Sequence, residues 1–288
     1  MNFEHLRALS AVVDEETFEA AADRLRISPS AVSQRIKALE SSVGHVVVRR
    51  GAPCTPTEAG AVLLRMARQV QLLEGEARHE LTGGGSPRTT TPLAVNADSL
   101  ATWFVPVLFE AAAWTDSTLD LHVEDQDHSA RLLRQGDVIG AITADPAPVN
   151  GCRVEALGAM RYLPVATPDL QQRFAGEAGI NWAAMPVVHF NAKDDLQRRS
   201  LQARGVDGRP PRHTIPSSEA FLAAVRAGLG WGMLPELQLG NDLADGTLVL
   251  LDEQAHEDVQ LYWQAWKLES ERLHRISDAV RRAAGQLR

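Results

Sequence analysis

Apolar positions in the first eighty residues recur at helical spacing, whereas those beyond residue 92 fall into short apolar runs separated by amphipathic stretches. Phe3, Leu6, Leu9 and Val13 predict an opening helix. Thr17 is placed to cap a second helix whose apolar face carries Phe18, Ala21, Ala22 and Leu25. Ser28 can cap a third, with Pro29 in the first turn, where a helix leaves that N–H unpaired in any case. In this third helix Val32, Ile36 and Leu39 face inward, and the hydrogen-bonding residues Ser30, Ser33, Gln34 and Lys37 follow the same rhythm on another face. Two short helices joined by a tight turn, the second with a polar outer face, suit insertion into a major groove. The β-branched run from His45 to Arg49, followed by GAP and CTPTEAG, predicts a two-stranded wing.

Thr57 can cap a longer helix running to about Leu81. Along it Ala59, Leu63, Met66, Val70, Leu73 and Ala77 are spaced at alternating fours and threes, a coiled-coil seam about three heptads long. The helix gives way to LTGGGSPRTTTP, a joint rich in glycine, serine and proline, which places a hinge at 83–91. The remainder, 92–288, reads as alternating strands and helices (PLAVNA, LDLHVED, VIGAIT, YLPVA and PVVHF as strands), an α/β arrangement with a largely parallel sheet.

Charge changes this picture in one place. The chain of 288 residues carries a formal charge of -8, which excludes a protein that coats nucleic acid or anionic membrane with its whole surface. Between residues 24 and 50, however, Arg24, Arg26, Arg35, Lys37, Arg49 and Arg50 stand against Glu40 alone, a local charge of +5. That is a surface for phosphates. No apolar run reaches the roughly 18 residues of a membrane span, and the amphipathic N-terminus lacks the pattern of a signal peptide. Cys54 and Cys152 are too far apart in sequence for a metal or redox motif. A cytoplasmic setting is expected. No GxSxG, HExxH, CxxC, phosphate loop or dinucleotide fingerprint is present, so neither an enzyme nor a cofactor-binding protein is expected.

The ordered run AADRLRISPSAVSQRIKALESSVG, then VVVRR and TPTEAG, resembles the winged helix-turn-helix of LysR-type transcriptional regulators, apart from Val47–Val48 where that family more often has Leu-Phe. VNADSLATWF, VEDQDHSARLLRQGDVIGAIT, FNAKDDLQ and IPSSEAF resemble the lysine-exporter-regulator (LysG/ArgP) branch of that family. The resemblance implies an α/β multidomain fold in four parts. These are a winged helix-turn-helix over 1–60, a linker and dimerisation helix over 57–82, the hinge, and a sensor over 92–288 similar to periplasmic solute-binding proteins. Lobe I would take about 92–162 and 266–288, and lobe II about 163–265. It implies a homodimer assembling into a tetramer, a double-stranded operator, contact with RNA polymerase, and a basic amino acid, L-lysine or L-arginine, as effector. Genes of amino-acid export or metabolism would be its targets.

The expected DNA-facing residues are Ser28, Ser30, Ser33, Gln34, Arg35, Lys37, Arg49 and Arg50. Ligands of α/β sheets sit beyond the carboxyl ends of strands, where helix N-termini favour anions. On that ground Ser99 and Ser217, each read as opening a helix, and Thr143 are candidates for a carboxylate, and Asp125, Asp145 and Asp194 for a cation. His128, Trp103 and Phe190 are further effector-site candidates, each open to a plainer reading as surface or core. The arginines of the closing amphipathic helix read as a solvated face. A competing function is an amino-acid-binding protein whose N-terminal bundle serves assembly only; the basic cluster and the wing weigh against it.

Overall fold

A computed structural model describes residues 2–82, 88–123, 126–177, 179–206 and 208–288. Helix α1 (Phe3–Asp14) starts at Asn2, α2 (Phe18–Leu25) at Thr17 and α3 (Pro29–Val43) at Ser28, and each cap accepts a bond from a first-turn N–H. Leu9, Val12, Ala21, Val32, Ile36 and Leu39 form the centre of their common core. Strands β1 (Val48–Arg49) and β2 (Thr55–Pro56) pair antiparallel, with Val48 opposite Pro56 and Arg49 opposite Thr55. Val47 and Val48 are buried against the helices, so the wing is anchored at its base.

Helix α4 (Glu58–Leu81) is capped by Thr57. Its Gly60, Leu64, Ala67 and Leu72 are buried within the chain. On the face read as a seam, Leu63 is partly packed against the core and Val70 half-buried, while Met66 and Leu73 are each 39% exposed and Ala77 is exposed.

Two compact units follow from the packing: Met1–Val95 with Glu110–Glu155 and Trp263–Asp278, and Asn96–Phe109 with Ala156–Tyr262 and Ala279–Arg288. In the first unit, β3 (Thr89–Val95) lies between β4 (Ser117–Val123) and β5 (Gly140–Thr143), parallel to both. Helix α5 (Ala97–Ala101) belongs to the second unit, and α6 (Val105–Ala111) begins there. Helix α7 (Gln126–Gln135) feeds β5, the right place for a crossover between parallel strands. The long strand β6 (Cys152–Ala166) enters the second unit at Ala156, and there its end is met antiparallel by β11 (Gly232–Pro235) and β12 (Val249–Leu250). Strands β9 (Val187–His189) and β10 (Arg212–Thr214) pair parallel. The remaining elements between β6 and β12 are α8 (Pro168–Arg173), the short pair β7 (Ala175–Gly176) and β8 (Gly179–Ile180) ahead of β9, α9 (Leu196–Ala203) between β9 and β10, and α10 (Ser218–Arg226) and α11 (Glu236–Leu239) after β10. Strand β13 (Glu257–Trp266) and helix α12 (Glu271–Ala284) close the chain.

No helix among the described residues is long and apolar enough to cross a membrane, and none of their His, Cys, Asp and Glu residues form a group able to hold a metal. Both cysteines are buried and free, and burial pushes the Cys152 thiol up to about 11, which leaves it unreactive near neutrality.

Candidate functional site

The outer face of α3 is built by its cap. Ser28 accepts the Ala31 N–H at 3.2 Å and shares a hydrogen with the Ser30 hydroxyl at 2.9 Å, which fixes the first turn. With Val32, Ile36 and Leu39 held in the core, Ser30, Gln34 and Lys37 are exposed and Ser33 is half-buried beside them. Charge on this surface is unevenly available. Arg24 is drawn to Asp14 and Glu15, Arg35 pairs with Glu4 at 2.9 Å, and the Arg50 guanidinium lies 5.0 Å from the centre of the Phe18 ring. Arg26, Lys37 and Arg49 are exposed and take no partner among the described residues. A cation without an internal partner is the one that exchanges solution counterions for a phosphate.

Lys37→Ala is therefore expected to weaken binding to a duplex enriched from a random library by the wild-type protein. It should also lower the slope of log affinity against log salt by about 0.9, the contribution of one phosphate contact. Fluorescence anisotropy across a salt series reads both. An unchanged slope assigns Lys37 to a base edge or to solvent.

The effector candidates divide between the units. In the second, Asn96 rather than Ser99 caps α5, accepting the Ser99 N–H at 2.7 Å, and the Ser99 hydroxyl accepts the Trp103 indole N–H at 3.0 Å. Both side chains are fully buried, so this pair belongs to the core, and the expectation that Ser99 offers a free N–H at a helix start is corrected. Ser217 does cap α10. Asp194 is spent on its own loop: one carboxylate oxygen accepts the Phe190 N–H at 2.8 Å, the other the Leu196 N–H at 3.3 Å. Phe190 is half-buried above the core.

The acid that stands out is Asp98, the residue before Ser99 and not among the acids expected to hold a cation. Its carboxylate accepts the Tyr162 hydroxyl at 2.9 Å and the Ser218 hydroxyl at 2.7 Å, and the Gln238 amide donates to Ser218 at 3.1 Å. Burial raises the Asp98 carboxyl above its ordinary range; the two hydroxyls pull it back, and Asp194 pushes it up again. Burial, with the Asp98 charge next, holds the Tyr162 phenol well above its usual value, and burial lowers His189 against the opposing pull of Asp194. A carboxylate held by neutral hydroxyls alone suits a cation.

In the first unit, Thr143 is buried at the end of β5 and accepts the Asp145 N–H at 3.0 Å, while Asp145 accepts the Ala147 N–H at 2.9 Å. Thr143 and Asp145 thus build a turn. Asp125 lies outside the described residues; His128 falls in α7, and its side chain is likewise outside them. A cavity of about 670 Å³ opens elsewhere in this unit, between the end of α4 (Leu73, Glu76, Ala77) and the start of α12 (Arg272, Arg275), and none of the expected effector residues lines it.

Family models match almost the whole chain. Residues 3–61 match the bacterial regulatory helix-turn-helix protein of the lysR family, and residues 84–285 match the LysR substrate binding domain. The lysine export transcriptional regulatory protein LysG of Corynebacterium efficiens is 51% identical over 99% of this chain and 98% of its own length. Among solved structures, full-length LysG from Corynebacterium glutamicum with bound effector Arg superposes with a TM-score of 0.88 at 48% identity, covering 100% of both chains. ArgP from Mycobacterium tuberculosis gives 0.90 at 49% identity, covering 98% of this chain and 97% of that one.

Proposed function

Because the chain belongs to the LysR family of DNA-binding transcriptional regulators, we propose that it senses a basic amino acid, L-lysine or L-arginine, and sets transcription of export or metabolic genes accordingly. The observation that carries this reading is similarity along the entire chain to regulators of lysine export, one of them solved with bound arginine. The family and these relatives are regulators, not enzymes. The protein acts in the cytoplasm as a dimer that assembles into a tetramer and contacts RNA polymerase. The outer face of α3 enters the major groove, with Ser30, Ser33, Gln34 and Lys37 toward bases and phosphates and Arg49 at the backbone. Arg35 and Arg50 join once DNA displaces Glu4 and Phe18 from them.

Asp98 is the proposed counter-charge for a positive group of the effector, with Tyr162 and Ser218 orienting it. A cation there compensates a carboxylate that its own unit surrounds with neutral donors and a second acid. Ser217 and Phe190 stay as proposed contacts on the same unit, where Asp194 acts through its charge on Asp98; Thr143 and Asp125 are separate proposals.

Thermal unfolding titrated with L-lysine, L-arginine, L-histidine and L-leucine tests this. A ligand at about 100 times its dissociation constant stabilises the native state by roughly 2.7 kcal/mol, a visible rise in the midpoint. Lysine or arginine should raise it and leucine should not, and Asp98→Asn should abolish the rise. A midpoint indifferent to all four amino acids defeats the sensor reading and leaves the DNA-binding half standing.

A further inference from the structure

Arg68 projects from α4 into a gap shared by three elements. Its Nη2 donates to an Asp14 oxygen at 2.6 Å, and its Nη1 donates to the Asp137 carboxylate and, at 3.4 Å, to the Gln135 carbonyl. The side chain is only 18% exposed, with Asp14 at 25% and Asp137 at 28%, so these bonds are sheltered from water on most sides. Asp14 ends α1, and its second oxygen takes the Arg24 guanidinium of α2 at 3.0 Å, the first helix of the helix-turn-helix pair. Gln135 ends α7, and Asp137 lies in the turn that leads into β5.

One turn earlier on the same helix, the Arg65 guanidinium donates to the Asn150 carbonyl at 2.6 Å. Gly136, at φ +82°, brings its backbone so close that an added Cβ would lie 2.9 Å from the Arg65 Cα. The loop at 135–137 is thus seated on α4 by a glycine and bolted to it by Arg68. The DNA-binding helices are fastened to the same bolt.

We propose that Arg68 is a coupling residue: it ties the α7–β5 turn to the end of α1 and so transmits the state of the sensor to the DNA-binding helices. This rests on the reading of the chain as an effector-responsive regulator. The physical case is one of geometry. An isolated surface pair contributes little, but one guanidinium held by two carboxylates and a carbonyl fixes three segments in one arrangement. Thr143, a proposed effector contact, ends β5, the strand into which this turn leads. A small displacement of α7 must either carry Arg68 with it or break the bonds at Asp137.

The test compares dissociation constants for the library-selected duplex with and without saturating L-arginine. Coupling between sites is commonly 5–150-fold, and a ratio of that order is expected for the wild type. Asp137→Asn keeps Asp14 to hold the guanidinium, so the fold is preserved. It should bring the ratio to within twofold of one while L-arginine binding to the free protein stays within twofold of wild type. Gly136→Ala should act in the same direction by lifting the turn off α4. In an Arg68→Met background, Asp137→Asn should add nothing further. A wild-type ratio that survives in both Asp137→Asn and Gly136→Ala overturns the coupling role alone. A wild-type ratio of one overturns the sensor reading and the coupling with it.

Discussion

Replacing Gly60 with alanine is expected to lower DNA affinity more than about 100-fold while L-arginine binding stays within twofold of the wild type. A Cβ on Gly60 would lie 1.9 Å from the Val47 carbonyl oxygen and 2.9 Å from its carbon. Backbone cannot rotate aside as a side chain would. The Val47 oxygen also accepts the Thr57 N–H at 3.1 Å, and Thr57 donates its hydroxyl to Val46 at 2.7 Å while capping Gly60. Relief needs the first turn of α4 to move from the wing base by about 1.5 Å, toward an ordinary contact distance. That shift breaks both bonds and carries Arg49 away from its proposed place at the DNA backbone. Overpacking a fitted core costs about 1–3 kcal/mol, and here the cost lies at or above the upper end because two backbones collide. Gly44→Ala is the contrast: at φ +72° with nothing within 4 Å of the new Cβ, it incurs only the left-handed backbone penalty of about 1–2 kcal/mol. Anisotropy with the selected duplex and calorimetry with L-arginine distinguish the two variants. Wild-type DNA affinity in Gly60→Ala would show that the close approach is not needed for the wing.

What was legible in the sequence was local. Thr17, Ser28 and Thr57 each announce a helix because a cap is chemistry within three residues, and each accepts the first-turn N–H that its position implies. Ser99 shows the limit of such signals: Asn96 stands three residues before it in VNADS, is at least as good a cap, and accepts the Ser99 N–H. Asp98 was legible as a position at the carboxyl end of a strand, not as a buried acid. Its partners Tyr162 and Ser218 lie 64 and 120 residues away, and only the fold brings those hydroxyls to it. The basic cluster was visible as a count, but which cations stay unengaged depends on Glu4 and Phe18, from α1 and the start of α2. On α4 the periodicity showed one apolar stripe; the fold shows two. Leu64, Ala67 and Leu72 pack into their own chain, and a one-dimensional repeat gives no means of telling which stripe does so.

That second stripe sets the other large effect. Met66 and Leu73 are each 39% exposed and Val62 58%, on a helix whose other side buries Leu64, Ala67 and Leu72. These exposed side chains are the surface expected to meet the same helix of a second copy, and pairing two DNA-binding units would turn the second contact into an intramolecular one. The gain from such linkage is about 10²–10⁴ in affinity. Met66→Asp combined with Leu73→Asp is therefore expected to halve the mass seen by light scattering and to weaken binding to the selected duplex at least 100-fold. The fold itself should persist, because neither side chain belongs to the buried stripe. Leu64→Ala, at 0% exposure on the opposite side, should do the reverse: it loses about 2–5 kcal/mol of stability and leaves the mass unchanged. If the wild type is held as a tetramer by its sensor domains as well, the double variant leaves pairs joined only through those domains. The DNA-binding units are then present but no longer held at half-site spacing, so affinity falls even though the protein is still oligomeric. An unaltered mass and unaltered affinity together would remove α4 from the interface and leave its exposed stripe to another partner.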